Sequence, residues 1–318
     1  MVALGAAFAS GSALAQSAAQ TYPNRPLRFI VPYAAGGNGD IVARILAQRL
    51  TGQIGQQIVI DNRGGAGGNI GAELAARAAP DGYSIMLGTN THVINMSLFP
   101  KLGYDIQRDF APVSRTTSAP MVLIIHPSLP AKSIRELIAL AKAHPNKLNY
   151  ATGGSGSSAH VITELFRSMA GVQLTHVAYK GVAQGTTDLI AGQIQMQFNS
   201  PATALAHMQA GRVRALGIST AARSSAAPGL PTIAESGLPG FDASIWQGVF
   251  VPARTPADMI ARLNREFVAV LNAADIKEQL RVQGLDSLPS TPEQFGAFVR
   301  EEIAKWAKVI KISGAKAE

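Results

Sequence analysis

Residues Arg25 to Leu50 constrain this chain most, because they spell a strand, a glycine-rich turn and a helix in immediate succession. Leu27-Arg28-Phe29-Ile30-Val31 is an apolar, β-branched run of strand length, and Pro32 ends it. Tyr33-Ala34-Ala35-Gly36-Gly37-Asn38-Gly39 follows, with three glycines in four positions ahead of Asp40. Beyond the turn, Ile41, Val42, Ile45, Leu46 and Leu50 fall on one side of a 3.6-residue helix, and Arg44, Gln48 and Arg49 face away. The first N–H groups of a helix have no intrahelical partner, and the helix dipole adds positive potential at the same end. Tyr33 to Asn38 therefore suits a small anion such as a carboxylate or phosphate. The plainer reading is a tight βα connection.

Length and composition set the frame around this unit. The chain has 318 residues, 47% hydrophobic and 15% charged, which is room for two domains of ordinary globular composition. A net charge of +8 favours acidic partners. Lysine and arginine form no run and aromatics reach only 6%, so no nucleic-acid surface is expected. With no cysteine, disulfides, thiolate metal sites and a cysteine nucleophile are excluded.

Val2 to Leu14 is small and apolar, and Ala13-Leu14-Ala15 before Gln16 reads as an A-x-A cleavage site. A signal peptide over residues 1–15 is expected, and the absence of Lys or Arg ahead of it suggests a start codon assigned too late. The alternative is an Ala/Ser tail. This stretch is too short to cross a bilayer, and no later one is apolar for long enough.

Gln57 to Asp61 reads as the second strand, and it runs into the glycine loop Gly64 to Gly71. A dinucleotide fingerprint fails there, because Ile70 stands where the third glycine is required. Thr89-Asn90 ends the next strand where a ribose-binding acid would sit, and no G-K-[ST] forms a P-loop. No cofactor is expected. The glycine loop reads as flexible and structural. Thr89 and Asn90, at a strand's carboxyl end, either cap a helix or share a crevice with the turn at 33–38.

A second strand–turn–helix unit begins at Leu148-Asn149-Tyr150-Ala151 and continues through Thr152-Gly153-Gly154-Ser155-Gly156-Ser157-Ser158-Ala159-His160. Three serine hydroxyls add donors to this turn. A nucleophile elbow at Ser155 fails because Ser157 replaces the last glycine, although an exported serine hydrolase using Ser155 stays open as the alternative. The six histidines form no metal-binding pair. Lys180 and Asn199 follow later strands and are candidate neighbours of the ligand. The alternation of strands and helices implies an α/β fold with largely parallel sheets.

Ordered across most of the chain are Val31-Pro32 with Ala35-Gly36-Gly37 and Asp40-x-x-x-Arg44, Asn62-Arg63 with Gly65-Ala66-Gly67, and Ala79-Pro80-Asp81-Gly82-Tyr83. Leu148-Asn149-Tyr150, Gly156, His160, His176 with Tyr179-Lys180-Gly181, Trp246 and Thr255-Pro256 continue the set. In these the chain resembles the substrate-binding proteins of the tripartite tricarboxylate transporter, the Bug-type receptors. The resemblance implies a periplasmic, non-enzymatic receptor of the type II periplasmic-binding-protein fold, with two lobes joined by crossing strands. It implies lobe 1 at 23–120 plus 247–318 and lobe 2 at 121–246, with Met121 to Ile125 and Ile245 to Val251 as hinge candidates. A small organic acid would bind between Tyr33, Ala35, Gly36, Gly37 and Asn38 on one lobe and Ser155, Gly156, Ser157 and His160 on the other. The partners would be the integral membrane subunits of the transporter, with the receptor itself a monomer. Two positions depart from the family pattern: Gly39 replaces a hydroxyl residue before Asp40, and Gln184-Gly185 replaces a small residue and proline.

Overall fold

The computed structural model describes residues 22–154, 157–179 and 181–313. The leader expected at 1–15, together with Ser155, Gly156 and Lys180, lies outside the described residues.

β1 (Leu27–Val31) is followed by α1 (Asn38–Ile54), β2 (Ile58–Asn62), α2 (Asn69–Ala76), β3 (Ser84–Thr89) and α3 (Asn90–Leu98). β1 lies between β2 and β3, parallel to both, so the strands end together at Val31, Asn62 and Thr89. Alternation decides which side chain goes where. Phe29, Val31, Ile85 and Leu87 pack toward α1, whereas Ile30 and Met86 enter the core on the opposite face. α1 buries Val42, Ala43, Leu46, Ala47 and Leu50. That stripe is rotated from the expected one: Ile41 and Ile45 are only half-buried, and two alanines let the helix approach the sheet.

Three further strands complete this sheet. They are β4 (Phe110–Ala119), β10 (Ile245–Pro252) and the short β11 (Asp286–Ser287), in the order β11-β4-β10-β3-β1-β2. β10 runs antiparallel to both neighbours. The second sheet has the order β7-β6-β8-β5-β9, from β5 (Val122–Ile125), β6 (Asn149–Thr152), β7 (Thr175–Ala178), β8 (Met196–Asn199) and β9 (Arg214–Ile218). β6, β7 and β8 are parallel, while β5 is antiparallel to β8 and β9. Each sheet is thus mixed, less parallel than the sequence suggests. The parallel part is the strand–helix part, where α5 (Ser158–Ala170), α6 (Val182–Ile190) and α7 (Pro201–Gln209) follow β6, β7 and β8.

The crossings between the sheets are shorter than the hinge strands expected from the sequence. β5 and β10 each belong wholly to one sheet, and the chain crosses at Pro120-Met121 and just before Ile245. Ser219 joins the two crossings. Its hydroxyl donates to the Ala243 carbonyl at 2.5 Å and accepts the Met121 amide at 2.9 Å. Its backbone bonds the same two residues, each at 2.8 Å.

The last helix (Pro292–Ser313, α10 after α4 at Ile134–Ala143, α8 at Ala257–Asn272 and α9 at Ala274–Val282) docks rather than trailing as a tail. It buries Phe295, Val299, Trp306, Val309 and Ile310 and lies against α3, β4 and α5, touching elements of both sheets. Buried Glu302 accepts the indole N–H of Trp246 at 2.8 Å and of Trp306 at 2.9 Å. Among the described residues no helix is long and apolar enough to cross a membrane.

Candidate ligand-binding site

Asp40 fixes the shape of the first turn. Its carboxylate, only 3% exposed, accepts the Gly36 amide at 2.8 Å, Arg44 Nε at 2.9 Å and Asn62 Nδ2 at 3.0 Å. Asn62 also donates to the Tyr33 carbonyl at 3.1 Å. The Arg44 hydrogen bond is the main reason that the Asp40 carboxyl titrates below its ordinary value. Asp40 is therefore a brace of the turn and the ion-pair partner of Arg44, and its charge is spent inside the turn. Gly36 sits at φ +80, in the region that favours glycine, and its N–H is already used. Gly37 is the N-cap, so the N–H groups left without an intrahelical partner begin at Asn38 and Gly39. Ala35, Gly36 and Asn38 are exposed beside them.

The glycine loop after β2 is less free than expected. A Cβ on Gly64 would lie 3.1 Å from the Ala34 nitrogen, and one on Gly71 would lie 2.8 Å from both the Arg63 carbonyl and Pro32 Cα. These glycines let one backbone pass directly against another, and so hold the turn at 33–38 in place. The sequence signal was the glycine density itself, which reads equally as flexibility.

Gly39 also acquires a reason. A Cβ there would meet the Tyr33 ring at 3.0 Å, so the tyrosine occupies the space in which a serine or threonine side chain would stand. The Tyr33 hydroxyl lies 2.6 Å from Thr89 Oγ1, and burial pushes its pKa up. Thr89 caps α3 in a box with His92: Thr89 Oγ1 accepts the Thr91 amide at 3.2 Å, and His92 Nδ1 accepts the Thr89 amide at 3.0 Å. Thr89 caps its helix and also touches the first turn through Tyr33. Asn90 is buried beside it. Burial lowers the His92 pKa to about 4.

On the second sheet, Thr152 Oγ1 accepts the Gly154 amide at 3.2 Å and lies 2.7 Å from His176 Nε2. Ser157 caps α5, its Oγ accepting the His160 amide at 3.3 Å. The open amides of α5 thus begin at Ser158 and Ala159. The His160 ring packs among aromatic side chains. Its ring stacks on His176 at 4.2 Å with a 7° tilt, and Tyr150 continues the stack at 4.9 Å from His176. Burial lowers the His160 pKa, with Glu164 opposing.

Asn199 is likewise buried and engaged. Its amide donates to Thr186 Oγ1 at 2.9 Å and Gln197 Oε1 at 3.2 Å, while its carbonyl accepts the Ser200 amide at 2.8 Å. It sets the β8–α7 connection. Gly185 explains the second departure, because its Cβ would stand 2.7 Å from that of Ala151, where α6 crosses β6. No group of three or more metal-ligating side chains forms among the described residues.

Two strand–turn–helix units, each at the carboxyl end of a parallel strand group, are the geometry of a binding protein for small anions. The model of the tripartite tricarboxylate transporter family receptors, TctC, matches residues 42–315. The chain belongs to this family. Among curated TctC-type relatives, BugT of Bordetella pertussis is 36% identical over 318 residues, covering 99% of this chain and 98% of its own. An R. palustris protein solved with adipate is 36% identical, covers 93% of this chain and 99% of that chain, and superposes with a TM-score of 0.73. The periplasmic binding protein BugD is 33% identical, with 93% and 100% coverage and a TM-score of 0.70. The family is one of solute-binding receptors, and the chain is not an enzyme. A serine hydrolase built on Ser155 finds no support.

Proposed function

We propose that this receptor is exported to the periplasm, where it closes as a monomer on a small organic carboxylate and presents it to the membrane subunits of its transporter. The lobes are residues 23–120 with 247–318, and residues 121–246. One observation carries the reading: open helix amides stand at Asn38-Gly39 on the first sheet and at Ser158-Ala159 on the second, each after a parallel strand. The Ser219 ties at the two short crossings support a hinge there. The apolar leader and the periplasmic relative BugD support export.

A carboxylate accepting N–H groups gains about 1.5–3 kcal/mol net from each charge-assisted bond. Three or four such bonds approach the roughly −8 kcal/mol of micromolar binding. With donors from both lobes, only the closed form offers the full set, so the ligand shifts the population toward closure. The adipate held by the R. palustris relative makes a dicarboxylate the first ligand to try.

Calorimetric titration with mono-, di- and tricarboxylates tests this. Asn38→Pro deletes one open amide at the first helical position, where proline fits, and Ser157→Ala deletes the hydroxyl at the second turn. Each is expected to weaken binding about tenfold, the equivalent of about 1.4 kcal/mol. Wild-type affinity in both variants would sink the reading.

A further inference from the structure

Strand register lines up four polar side chains across the carboxyl end of the first sheet. Thr89 faces Gln247 in the β3–β10 pair, and Gln247 faces Thr117 in the β10–β4 pair. Continuing the β1–β3 register places Tyr33 beside Thr89. Gln247 shares its face with Val249 and Val251, which pack in the α1 core, while Trp246 and Phe250 point into the opposite core. The row therefore lies on the same side of the sheet as α1, which covers β1 and β2, while α8 packs against β4.

Tyr33 and Thr89 satisfy each other. The next two do not. Gln247 is 4% exposed and Thr117 is 0% exposed, yet Gln247 Oε1 and Thr117 Oγ1 have no hydrogen-bond partner. Buried polar atoms are almost always paired, and two lone ones facing each other next to the Tyr33–Thr89 contact call for a third party. The row contains no cation to hold a second carboxylate and no anion to hold an ammonium. A neutral hydroxyl fits both atoms at once, donating to Gln247 Oε1 and accepting from the Thr117 hydroxyl.

We propose that Gln247 and Thr117 recognise a hydroxyl on the bound acid, so that the receptor selects hydroxycarboxylates over the same acids without the hydroxyl. The inference rests on the carboxylate-receptor reading: the α1 amides hold the carboxylate, and the Gln247–Thr117 pair reads the substituted carbon. A site built to hydrogen-bond a ligand hydroxyl rejects the analogue that lacks it, because its own polar groups are then left unpaired.

Calorimetry with matched pairs decides it: propionate with lactate, succinate with malate, glutarate with 2-hydroxyglutarate. The hydroxylated member of a pair that binds is expected to bind at least about tenfold tighter. Gln247→Leu is expected to erase that ratio while still binding the plain acid. Thr117→Val is expected to do the same, and it serves if Gln247→Leu does not fold. Equal binding of both members by the wild type, or an unchanged ratio in the folded variants, overturns the hydroxyl assignment and leaves the carboxylate reading standing. If no acid of any pair binds, both readings fall together.

Discussion

The Tyr33 hydroxyl stands 2.6 Å from Thr89 Oγ1, and this one contact joins the turn after β1 to the cap of the helix after β3. Two connections from non-consecutive strands thereby move as one piece. Thr89 is fixed in turn by its box with His92, so the position of the first turn depends on residues more than fifty positions away in the chain.

Tyr33→Phe leaves the ring against Gly39 but unties the turn. A buried hydrogen bond of this kind contributes about 1 kcal/mol net, and Thr89 Oγ1 keeps its amide donor. Chemical denaturation is expected to show a loss near 1 kcal/mol, with carboxylate affinity falling severalfold because the amides of Asn38 and Gly39 lose their fixed position. An unchanged affinity with lowered stability would confine Tyr33 to a structural role.

His92 gives the fold an acid limit. Its folded-state pKa of about 4 lies below the ordinary 6.5, with burial as the main cause. Between those values the unfolded chain binds a proton that the folded one refuses. The stabilisation is therefore complete above pH 6.5 and is lost progressively as pH falls toward 4, amounting to about 3 kcal/mol across the window. Denaturant unfolding at pH 7 and pH 4.5 should show His92→Gln losing about 2–3 kcal/mol less than wild type over that interval. An equal loss would move the acid sensitivity to other groups.

The two strand–turn–helix units were legible because their pattern is local. An apolar strand, a glycine cluster and a helix stripe fall within twenty-six residues at Arg25 to Leu50, and a similar unit recurs after Leu148. β4 was not legible. Phe-Ala-Pro-Val-Ser-Arg-Thr-Thr-Ser-Ala has no clear alternation and a proline, yet it is the longest strand described, held by β10 on one side and β11 on the other. Pro112 is accommodated beside a register shift in the pairing with β10. His160 was placed near the ligand by the family resemblance and Asn199 by its strand end, but neither signal says what a side chain packs against. In the structure the two belong to the His160–His176 stack and the Asn199–Gln197–Thr186 network. Gln247 was invisible for the opposite reason: only its neighbours across the sheet show that its oxygen lacks a partner.

Gly71→Ala tests the close approach beneath the first turn. The added Cβ would come within 2.8 Å of the Arg63 carbonyl and Pro32 Cα, and backbone cannot yield as a flexible side chain does. Overpacking of this kind costs typically 1–3 kcal/mol. A substitution at Gly52, where a Cβ meets nothing within 4 Å, should be neutral or slightly stabilising. Differential scanning fluorimetry separates the two. A melting temperature unchanged in Gly71→Ala would mean that the loop relaxes freely, as the sequence alone had suggested.

Ser219 carries the last prediction. Its side chain is buried, and its hydroxyl serves both crossings at once, donating to Ala243 and accepting from Met121. Ser219→Ala leaves the Met121 amide without that acceptor and the Ala243 carbonyl without that donor, at a cost of about 1–3 kcal/mol. If the ties persist while the lobes close about them, the open and closed forms lose equally. The melting temperature then falls by several degrees with or without ligand, at roughly 2–4 °C per kcal/mol for a protein of this size class, and Kd stays within about threefold of wild type. If closure instead breaks a tie, the variant has less to lose on closing and binds more tightly. Measuring Kd and the ligand-induced melting shift on the same variant distinguishes a hinge that bends around Ser219 from one that opens through it.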